Sequence, residues 1–84
     1  MKIEFDPAAL EQLEYWLNTN SRMAGKILKL IKEIKRSPFE GPGLPEPLKH
    51  DLSGCWSRRI NQEHRLVYKV EKDKVIIFSC RYHY

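Results

Sequence analysis

The sequence predicts an α+β fold in which two helices pack on a mainly antiparallel sheet, in the order strand, helix, helix, strand, strand, strand. Three observations lead to this prediction. Apolar residues recur at helical spacing between residues 7 and 36. They alternate with polar residues, or run together, between residues 55 and 80. Residues 38 to 47 separate these parts with four prolines and two glycines, which exclude a helix or a central strand there.

A short strand and two helices are predicted before residue 37. Ile3 and Phe5 alternate with charged neighbours, as in a strand, and Asp6-Pro7 is typical of a helix N-cap followed by the first helical residue. The first helix is expected to bury Leu10, Leu13, Trp16 and Leu17. Ser21 is then expected to cap a second helix, whose inward residues are Met23, Ile27, Leu30, Ile31 and Ile34.

Three strands are predicted after the proline-rich loop. Residues 55–60 place Trp56 and Ile60 on one side, and residues 64–70 place Leu66, Tyr68 and Val70 on one face. Residues 75–80 form an apolar run that suits a central strand covered by helices, and we expect this strand to continue into residues 81–84. A chain of 84 residues has the size of one domain with one modest core, so residues 1–84 are expected to form a single domain.

Charge and cysteine content narrow the classes of function. The net charge of +4 is concentrated in residues 21–36, with six basic residues against one acid, and residues 49–84, with eight against four. This distribution favours anionic partners. Cys55 and Cys80 lack the spacing of a zinc or redox motif, and we expect both to be buried thiols in a reducing cytoplasm. The sequence has neither a signal peptide pattern nor an apolar run long enough to span a bilayer.

Two arginines are predicted to face each other across a hairpin. If Ile60 pairs with His64, Arg59 lies opposite Arg65 on one face of the two strands. Like charges in this position repel, and a bound phosphate would relieve the repulsion. The alternative is that both guanidinium groups extend into water or pair with nearby carboxylates.

Proton-transfer groups are expected in the stiff loop and in the last residues of the sequence. Glu46 lies between Pro45 and Pro47, and a carboxylate on restricted backbone is a candidate general base. His83 is a candidate general acid, because an ordinary histidine titrates near neutral pH. The alternatives are a solvated loop glutamate and a frayed polar end, and His50 and His64 are rival proton carriers.

Aromatic side chains could provide surfaces on which RNA bases stack. The candidates are Trp56, Tyr68, Tyr82 and Tyr84. Trp56 and Tyr68 follow the inward phase of their strands, so we expect them in the core. Strict alternation would place Tyr82 and Tyr84 on the opposite face from His83, unless the last residues leave the strand and bend round its edge.

From about Arg36 onward, just over half of the chain, the sequence resembles the YoeB branch of the RelE-like bacterial toxins, which are ribosome-dependent mRNA endonucleases of toxin–antitoxin pairs. The resemblance rests on five blocks in the same order: Ser37-Pro38-Phe39-Glu40-Gly41, Pro45-Glu46-Pro47-Leu48-Lys49, Trp56-Ser57-Arg58-Arg59-Ile60, Glu63-His64-Arg65-Leu66-Val67-Tyr68 and Cys80-Arg81-Tyr82-His83-Tyr84. It implies a RelE-like, microbial ribonuclease-like fold.

The resemblance also implies a chemistry. In such toxins Glu46 would deprotonate a ribose 2′-hydroxyl, which attacks the adjacent phosphate, and His83 would protonate the departing 5′-oxygen. Arg65 would stabilise the charge of the transition state. The products would be a 2′,3′-cyclic phosphate and a 5′-hydroxyl, formed without a metal or another cofactor.

Substrate-binding residues and partners follow from the same resemblance. Tyr84 would align the RNA, and Lys49 and Arg59 would hold phosphates, whereas Leu44 replaces an expected basic residue. The partners would be mRNA in the A site of the 70S ribosome, near 16S rRNA, an acidic antitoxin and a second copy of the toxin. The alternatives are a basic RNA-binding or ribosome-binding module that blocks translation without cutting, and a ribosome-independent ribonuclease.

Overall fold

A computed structural model describes residues 1–83 of the chain, and the expected α+β class is confirmed. The elements, in order, are β1 (Lys2–Phe5), α1 (Pro7–Thr19), α2 (Ser21–Arg36), β2 (Glu46–Pro47), a 3₁₀ helix (His50–Leu52), β3 (Trp56–Arg59), β4 (Arg65–Glu71) and β5 (Lys74–Ser79). Among the described residues, no helix is both long and apolar enough to cross a membrane.

The strands of residues 1–83 form one sheet in the order β1-β5-β4-β3-β2. β1 pairs with β5 in parallel, and the other neighbouring strands pair antiparallel. The middle position is taken by β4, whereas β5 lies between β1 and β4. The predicted β5 is therefore an interior strand, but β4 is the one at the centre.

α1 begins as predicted but buries a different stripe. Asp6 accepts a hydrogen bond from the Ala8 N–H through its carboxylate, and Pro7 is the first helical residue. Ala9 and Trp16, seven residues apart, are buried. The prediction for Leu10 and Leu17 was wrong: each lies one residue further on, about 100° round the helix, and both are exposed.

α2 buries all five residues predicted to face inward, namely Met23, Ile27, Leu30, Ile31 and Ile34. The prediction that Ser21 caps this helix was wrong. A single residue, Asn20, separates the helices and is both the C-cap of α1 and the N-cap of α2, so Ser21 is already helical. The two helices cover one face of the sheet, which contributes Ile60, Leu66, Tyr68, Val75 and Ile77 to the same apolar core.

Two departures from the predicted strands position the candidate site. The proline-rich loop contains a two-residue edge strand, β2, which the sequence did not indicate because its second residue is a proline that cannot donate to the ladder. β5 ends at Ser79 and does not continue into residues 81–84 as expected. A bulge at Phe78, where Tyr68 pairs with Ile77 but Val67 pairs with Ser79, shifts the register just before that end.

Candidate functional site

The strand register brings three predicted site residues to the sheet face opposite the helices. Residues directly opposite each other in antiparallel strands have side chains on the same face. Glu46 pairs with Ser57, and two residues further along β3 Arg59 pairs with Arg65, as predicted. The core side chains of β3 and β4 alternate with these residues. Glu46, Arg59 and Arg65 therefore share what we call the open face.

The loop that carries Glu46 is fastened to the sheet by a buried arginine. Arg58 is 0% exposed, and its Nη2 donates hydrogen bonds to the main-chain oxygens of Ser37 and Glu40. Its Nη1 donates to the Pro42 oxygen at 3.1 Å, and its Nε donates to the Tyr68 hydroxyl at 3.2 Å. One guanidinium thus fixes the loop at three points on the way to Glu46.

The loop then passes so close to β3 that it needs glycine. Gly43 has a φ of +89°, and a Cβ atom on it would lie 3.0 Å from the Arg58 Cβ and 3.1 Å from the Arg59 oxygen. Its own oxygen accepts a hydrogen bond from the Arg59 N–H at 2.6 Å. The Leu48 N–H donates to the Cys55 oxygen at 2.9 Å beyond β2. The backbone on both sides of Glu46 is therefore tied to the strand beside it.

The two predicted phosphate-binding residues lie in separate depressions. Lys49 and Glu46 line one of about 330 Å³, together with His50. Arg59 lines another of about 390 Å³, together with Lys26 and Leu44. Leu44 is exposed there, at the position where a basic residue was expected. The first depression combines the carboxylate of Glu46 with the ammonium group of Lys49. The second lies between the loop and α2 and combines two cations, Arg59 and Lys26, with the apolar side chain of Leu44.

Arg65 does not extend into water, as one alternative required. It is 9% exposed, and its Nη1 donates to the main-chain oxygens of Asn61 (2.8 Å), Gln62 (3.2 Å) and His64 (3.1 Å). Arg59 is exposed, so that alternative holds for it alone. The turn between β3 and β4 therefore holds one guanidinium in a fixed position and leaves the other on the surface.

Residues 80–83, here called the closing segment, leave the sheet and attach to α1. The Cys80 N–H donates to Gln12 Oε1 at 2.7 Å, and the Cys80 oxygen accepts from Trp16 Nε1 at 2.9 Å. The Arg81 guanidinium lies 3.6 Å from the centre of the Tyr15 ring, a cation–π contact. Burial raises the pKa of the Cys80 thiol to about 11.

The end of the closing segment returns to the start of β4. Tyr82 has a φ of +69°; its N–H donates to His64 Nδ1 at 2.7 Å and its oxygen accepts from the Arg65 N–H at 3.0 Å. His83 follows directly and is exposed. The chain has therefore left β5 before His83, which the sequence required if one site was to use this residue. The prediction for Tyr84 lies outside the described residues.

The aromatic residues divide as their strand phase predicts. Tyr68 is buried and donates its hydroxyl hydrogen to the Pro38 oxygen at 2.7 Å, and burial raises the pKa of its phenol. Trp56 is half-buried, packs on the core and contacts the Phe39 ring at 4.7 Å between centroids. Tyr82 is exposed. It alone of these three offers a largely open ring.

Sequence reasoning missed two residues that hold the site, Arg58 and His64. Arg58 shares the inward phase of Trp56 and Ile60, so alternation alone could have shown that its guanidinium is buried. The sequence predicts His64 only as a rival proton carrier, and nothing local in the sequence indicates its bond to Tyr82. Within residues 1–83 no group of three or more His, Cys, Asp or Glu side chains is arranged to hold a metal ion.

Comparison with known proteins assigns the family. Toxin YoeB of Escherichia coli strain K12 is 54% identical over 84 residues, which is the whole of both chains. A structure of a YoeB/ParE toxin from Agrobacterium tumefaciens superposes with a TM-score of 0.97 at 45% identity, and both chains are fully covered.

A third relative, YoeB of Staphylococcus aureus, has been solved as a dimer (TM-score 0.93, 47% identity) and in complex with YefM (TM-score 0.92, 48% identity). Each structure covers 100% of this chain and 98% of the relative's. The model of the YoeB-like toxins of bacterial type II toxin–antitoxin systems matches residues 5–84. The chain therefore belongs to the YoeB-like toxins and is the toxin of a type II toxin–antitoxin system.

Proposed function

We propose that this toxin is an endoribonuclease that cuts mRNA in the ribosomal A site and thereby inhibits translation. The observation that supports the proposal is the shared open face, on which the strand register puts the side chains of Glu46, Arg59 and Arg65. The hydrogen bond from Arg65 to Tyr82 also brings the peptide that precedes His83 to the same strand. A carboxylate, a fixed cation and an imidazole are the groups that metal-independent cleavage of RNA by its own 2′-hydroxyl requires.

The reaction assigns one step to each group. Glu46 takes the proton of a ribose 2′-hydroxyl, and the 2′-oxygen forms a bond to the adjacent phosphorus. The bond from phosphorus to the 5′-oxygen of the next nucleotide breaks, and His83 gives its proton to that oxygen. Arg65, whose orientation three main-chain oxygens fix, stabilises the negative charge on the phosphoryl oxygens. The products are a 2′,3′-cyclic phosphate and a 5′-hydroxyl.

Substrate binding uses groups around this centre. Lys49 lies beside Glu46 and holds one phosphate, and Arg59 holds another in the depression that contains Lys26. Tyr84 aligns the RNA next to His83. Leu44 offers an apolar contact where a charge was expected, so phosphate binding in the depression that Leu44 lines depends on Arg59 and Lys26.

The partners and location belong to the same proposal. The toxin acts in the cytoplasm on the 70S ribosome near 16S rRNA, forms a homodimer and is inhibited by an acidic antitoxin. The net charge of +4 and the basic residues of α2 favour RNA and an acidic protein as partners. The dimer and the YefM complex of the S. aureus relative support the two protein partners.

Primer extension on translating ribosomes tests the proposal. We expect wild-type toxin to create new 5′ ends within the A-site codon of a defined mRNA, and the same mRNA without ribosomes to remain uncut. Arrest of translation without new 5′ ends would contradict cleavage and support the blocking module. Equal cutting of ribosome-free mRNA would contradict the requirement for the ribosome.

A further inference from the structure

Tyr82, the residue before the proposed general acid, is held by both of its main-chain groups. Its N–H donates to His64 Nδ1 at 2.7 Å, and its oxygen accepts from the Arg65 N–H at 3.0 Å. The Tyr82 oxygen and the His83 nitrogen belong to one planar peptide group. The first bond orients the peptide group before Tyr82, and the second orients the peptide group that joins Tyr82 to His83, so together they set the backbone position from which His83 extends.

The backbone at Tyr82 needs this support because its φ of +69° is in the left-handed region, which residues other than glycine rarely adopt. β5 has ended three residues earlier, so the sheet ladder does not impose the conformation. The bond from Arg65 is donated by its main-chain N–H, so any residue other than proline at position 65 could make it. The bond from Tyr82 to His64 is the one that depends on a particular side chain.

The His64 ring is itself held in the orientation that the bond requires. It packs edge-on against Trp16, with ring centroids 4.9 Å apart and an interplanar angle of 80°. Trp16 is buried and bonded through Nε1 to Cys80, the first residue of the closing segment. The His64 N–H donates to the Asn61 side chain at 2.8 Å, which fixes the backbone from which the ring extends.

A ring nitrogen that accepts a hydrogen bond carries no proton. Nδ1 of His64 is the acceptor for Tyr82, so this bond requires a ring that carries its proton on Nε2 alone. In this arrangement His64 accepts a hydrogen bond from the backbone and does not serve as the proton carrier that its residue type suggests. We propose that His64 is a positioning residue, which uses unprotonated Nδ1 to hold the Tyr82 backbone and thereby places His83 for the reaction proposed above, on which this role rests.

Two substitutions at position 64 separate the acceptor from the rest of the side chain. His64→Leu keeps apolar bulk against Trp16 but removes the acceptor. His64→Asn replaces the ring with a smaller side chain, whose Oδ1 can occupy the place of Nδ1 and accept the same bond. Glu63→Leu, in the adjacent exposed position of the turn, is the matched control for an added leucine.

Cleavage on translating ribosomes is the first measurement. We expect His64→Leu to lower kcat about 10- to 100-fold, the cost of misplacing an acid that contributes typically 10²- to 10⁴-fold. KM for programmed ribosomes should stay within about twofold, because Lys49 and Arg59 are unchanged. His64→Asn should recover most of the lost kcat, and Glu63→Leu should retain it. A purely structural role would predict no better activity for Asn than for Leu.

Nuclear magnetic resonance of the free toxin is the second measurement and does not depend on cleavage. We expect the ¹⁵N shifts of His64 to show an unprotonated Nδ1 and a protonated Nε2. The Tyr82 amide should exchange with solvent at least 10-fold faster in His64→Leu than in wild type or His64→Asn, with no change at the Leu66 amide within β4. A protonated Nδ1, or unchanged exchange at Tyr82, would overturn the inference.

The two proposals fail in distinguishable ways. If wild-type toxin does not cut mRNA, the proposed function fails, and the exchange of the Tyr82 amide alone decides whether His64 holds the segment. If wild-type toxin cuts and His64→Leu has the same kcat, the inference about His64 fails while the proposed function stands. If His64→Leu does not fold, the comparison of His64→Asn and wild type still tests it: a tenfold loss of kcat with the Tyr82 amide protected, or wild-type kcat with the amide exposed, contradicts the positioning role.

Discussion

The two arms of the candidate site, the Glu46 loop and the closing segment with His83, are fixed by different kinds of interaction. A buried cation, Arg58, holds the loop through three main-chain oxygens and the Tyr68 hydroxyl. The closing segment is held mostly by neutral groups, among them Gln12, Trp16 and His64. The first arm is therefore fixed through one buried cation, whereas the second is fixed by a series of contacts that runs from the core at Cys80 to the surface at Tyr82.

This difference has an energetic consequence. Within residues 1–83 the hydrogen bonds of the Arg58 guanidinium all go to neutral oxygens, so its removal takes a charged donor from the Tyr68 hydroxyl and from three partly buried loop oxygens. The contacts of the closing segment are shared among several side chains, and the one to Tyr82 is exposed. We expect damage to the Glu46 arm to appear as lost stability, and damage to the His83 arm to appear as lost activity with the fold intact.

The largest expected effect is the loss of either reacting group. Glu46→Ala and His83→Gln should each slow cleavage about 10²- to 10⁴-fold, because a general base or acid contributes that much. Both residues are exposed, so the free energy of unfolding should change by less than about 0.5 kcal/mol.

Single-turnover cleavage by these variants on programmed ribosomes, with ribosome binding measured in parallel, checks the prediction. Glu40→Ala removes the other carboxylate of the same loop and is the matched control, which should cut at the wild-type rate. Full activity in Glu46→Ala or His83→Gln would remove that residue from the mechanism.

The next largest effect tests the buried cation. Arg58→Met should lower the free energy of unfolding by about 3 kcal/mol or more, since it removes the charged hydrogen bonds that tie the loop to the sheet. Arg59→Met, one residue away but exposed, should change it by less than about 0.5 kcal/mol. Urea denaturation followed by tryptophan fluorescence measures both, and equal stabilities would show that Arg58 does not fasten the loop.

Alkaline pH should lower the free energy of unfolding through one buried group in each arm, the Cys80 thiol and the Tyr68 phenol. The pKa of Cys80 is raised from 9.0 to about 11, so the stabilisation it provides is complete below about pH 9 and is lost as pH rises towards 11. The unfolded chain releases this proton first, and at about 1.4 kcal/mol per pKa unit the loss approaches 2 to 3 kcal/mol. The raised pKa of Tyr68 acts in the same direction at higher pH.

Unfolding curves between pH 8 and 11 check this prediction. Cys80→Ala should show a shallower fall in stability than wild type across that range. Cys55→Ala, which removes the other thiol, should follow the wild-type curve. A wild-type stability that does not change up to pH 11 would contradict the assignment.

The smallest expected effect concerns the attachment of the closing segment to α1. Trp16→Phe keeps an aromatic ring against His64 but removes the Nε1 donor, which leaves the Cys80 oxygen without its bond. We expect a loss of about 1 kcal/mol in stability and a several-fold loss in cleavage rate. Trp56→Phe, which alters a ring contact with Phe39 in the other arm, should lower the cleavage rate less.

Thermal melts and cleavage assays of the two tryptophan variants sharpen the comparison between the arms. Equal effects on cleavage would show that the indole of Trp16 has no special part in holding the His83 arm.

The sequence determined most of the secondary structure, because local patterns specify it. The periodicity of α2, the cap at Asp6 and the pairing of Arg59 with Arg65 depend on residues close together in the chain, and all are present. The same patterns marked Glu46, Arg65 and His83 as candidates. Leu10 and Leu17 were misplaced because a helix with several leucines has more than one possible apolar stripe, and only packing against the sheet selects between them.

The tertiary structure decided how the Glu46 loop and the closing segment are attached to the sheet and to α1. The bulge at Phe78, the end of β5 at Ser79 and the bond from Tyr82 to His64 depend on strands that are distant in sequence, so no local pattern reveals them. The burial of Arg58 against oxygens of the proline-rich loop is of the same kind. The sequence by itself determined which chemical groups the toxin has. Long-range pairing decided where they lie, because a hydrogen bond or a buried contact forms only after both chain segments are in place.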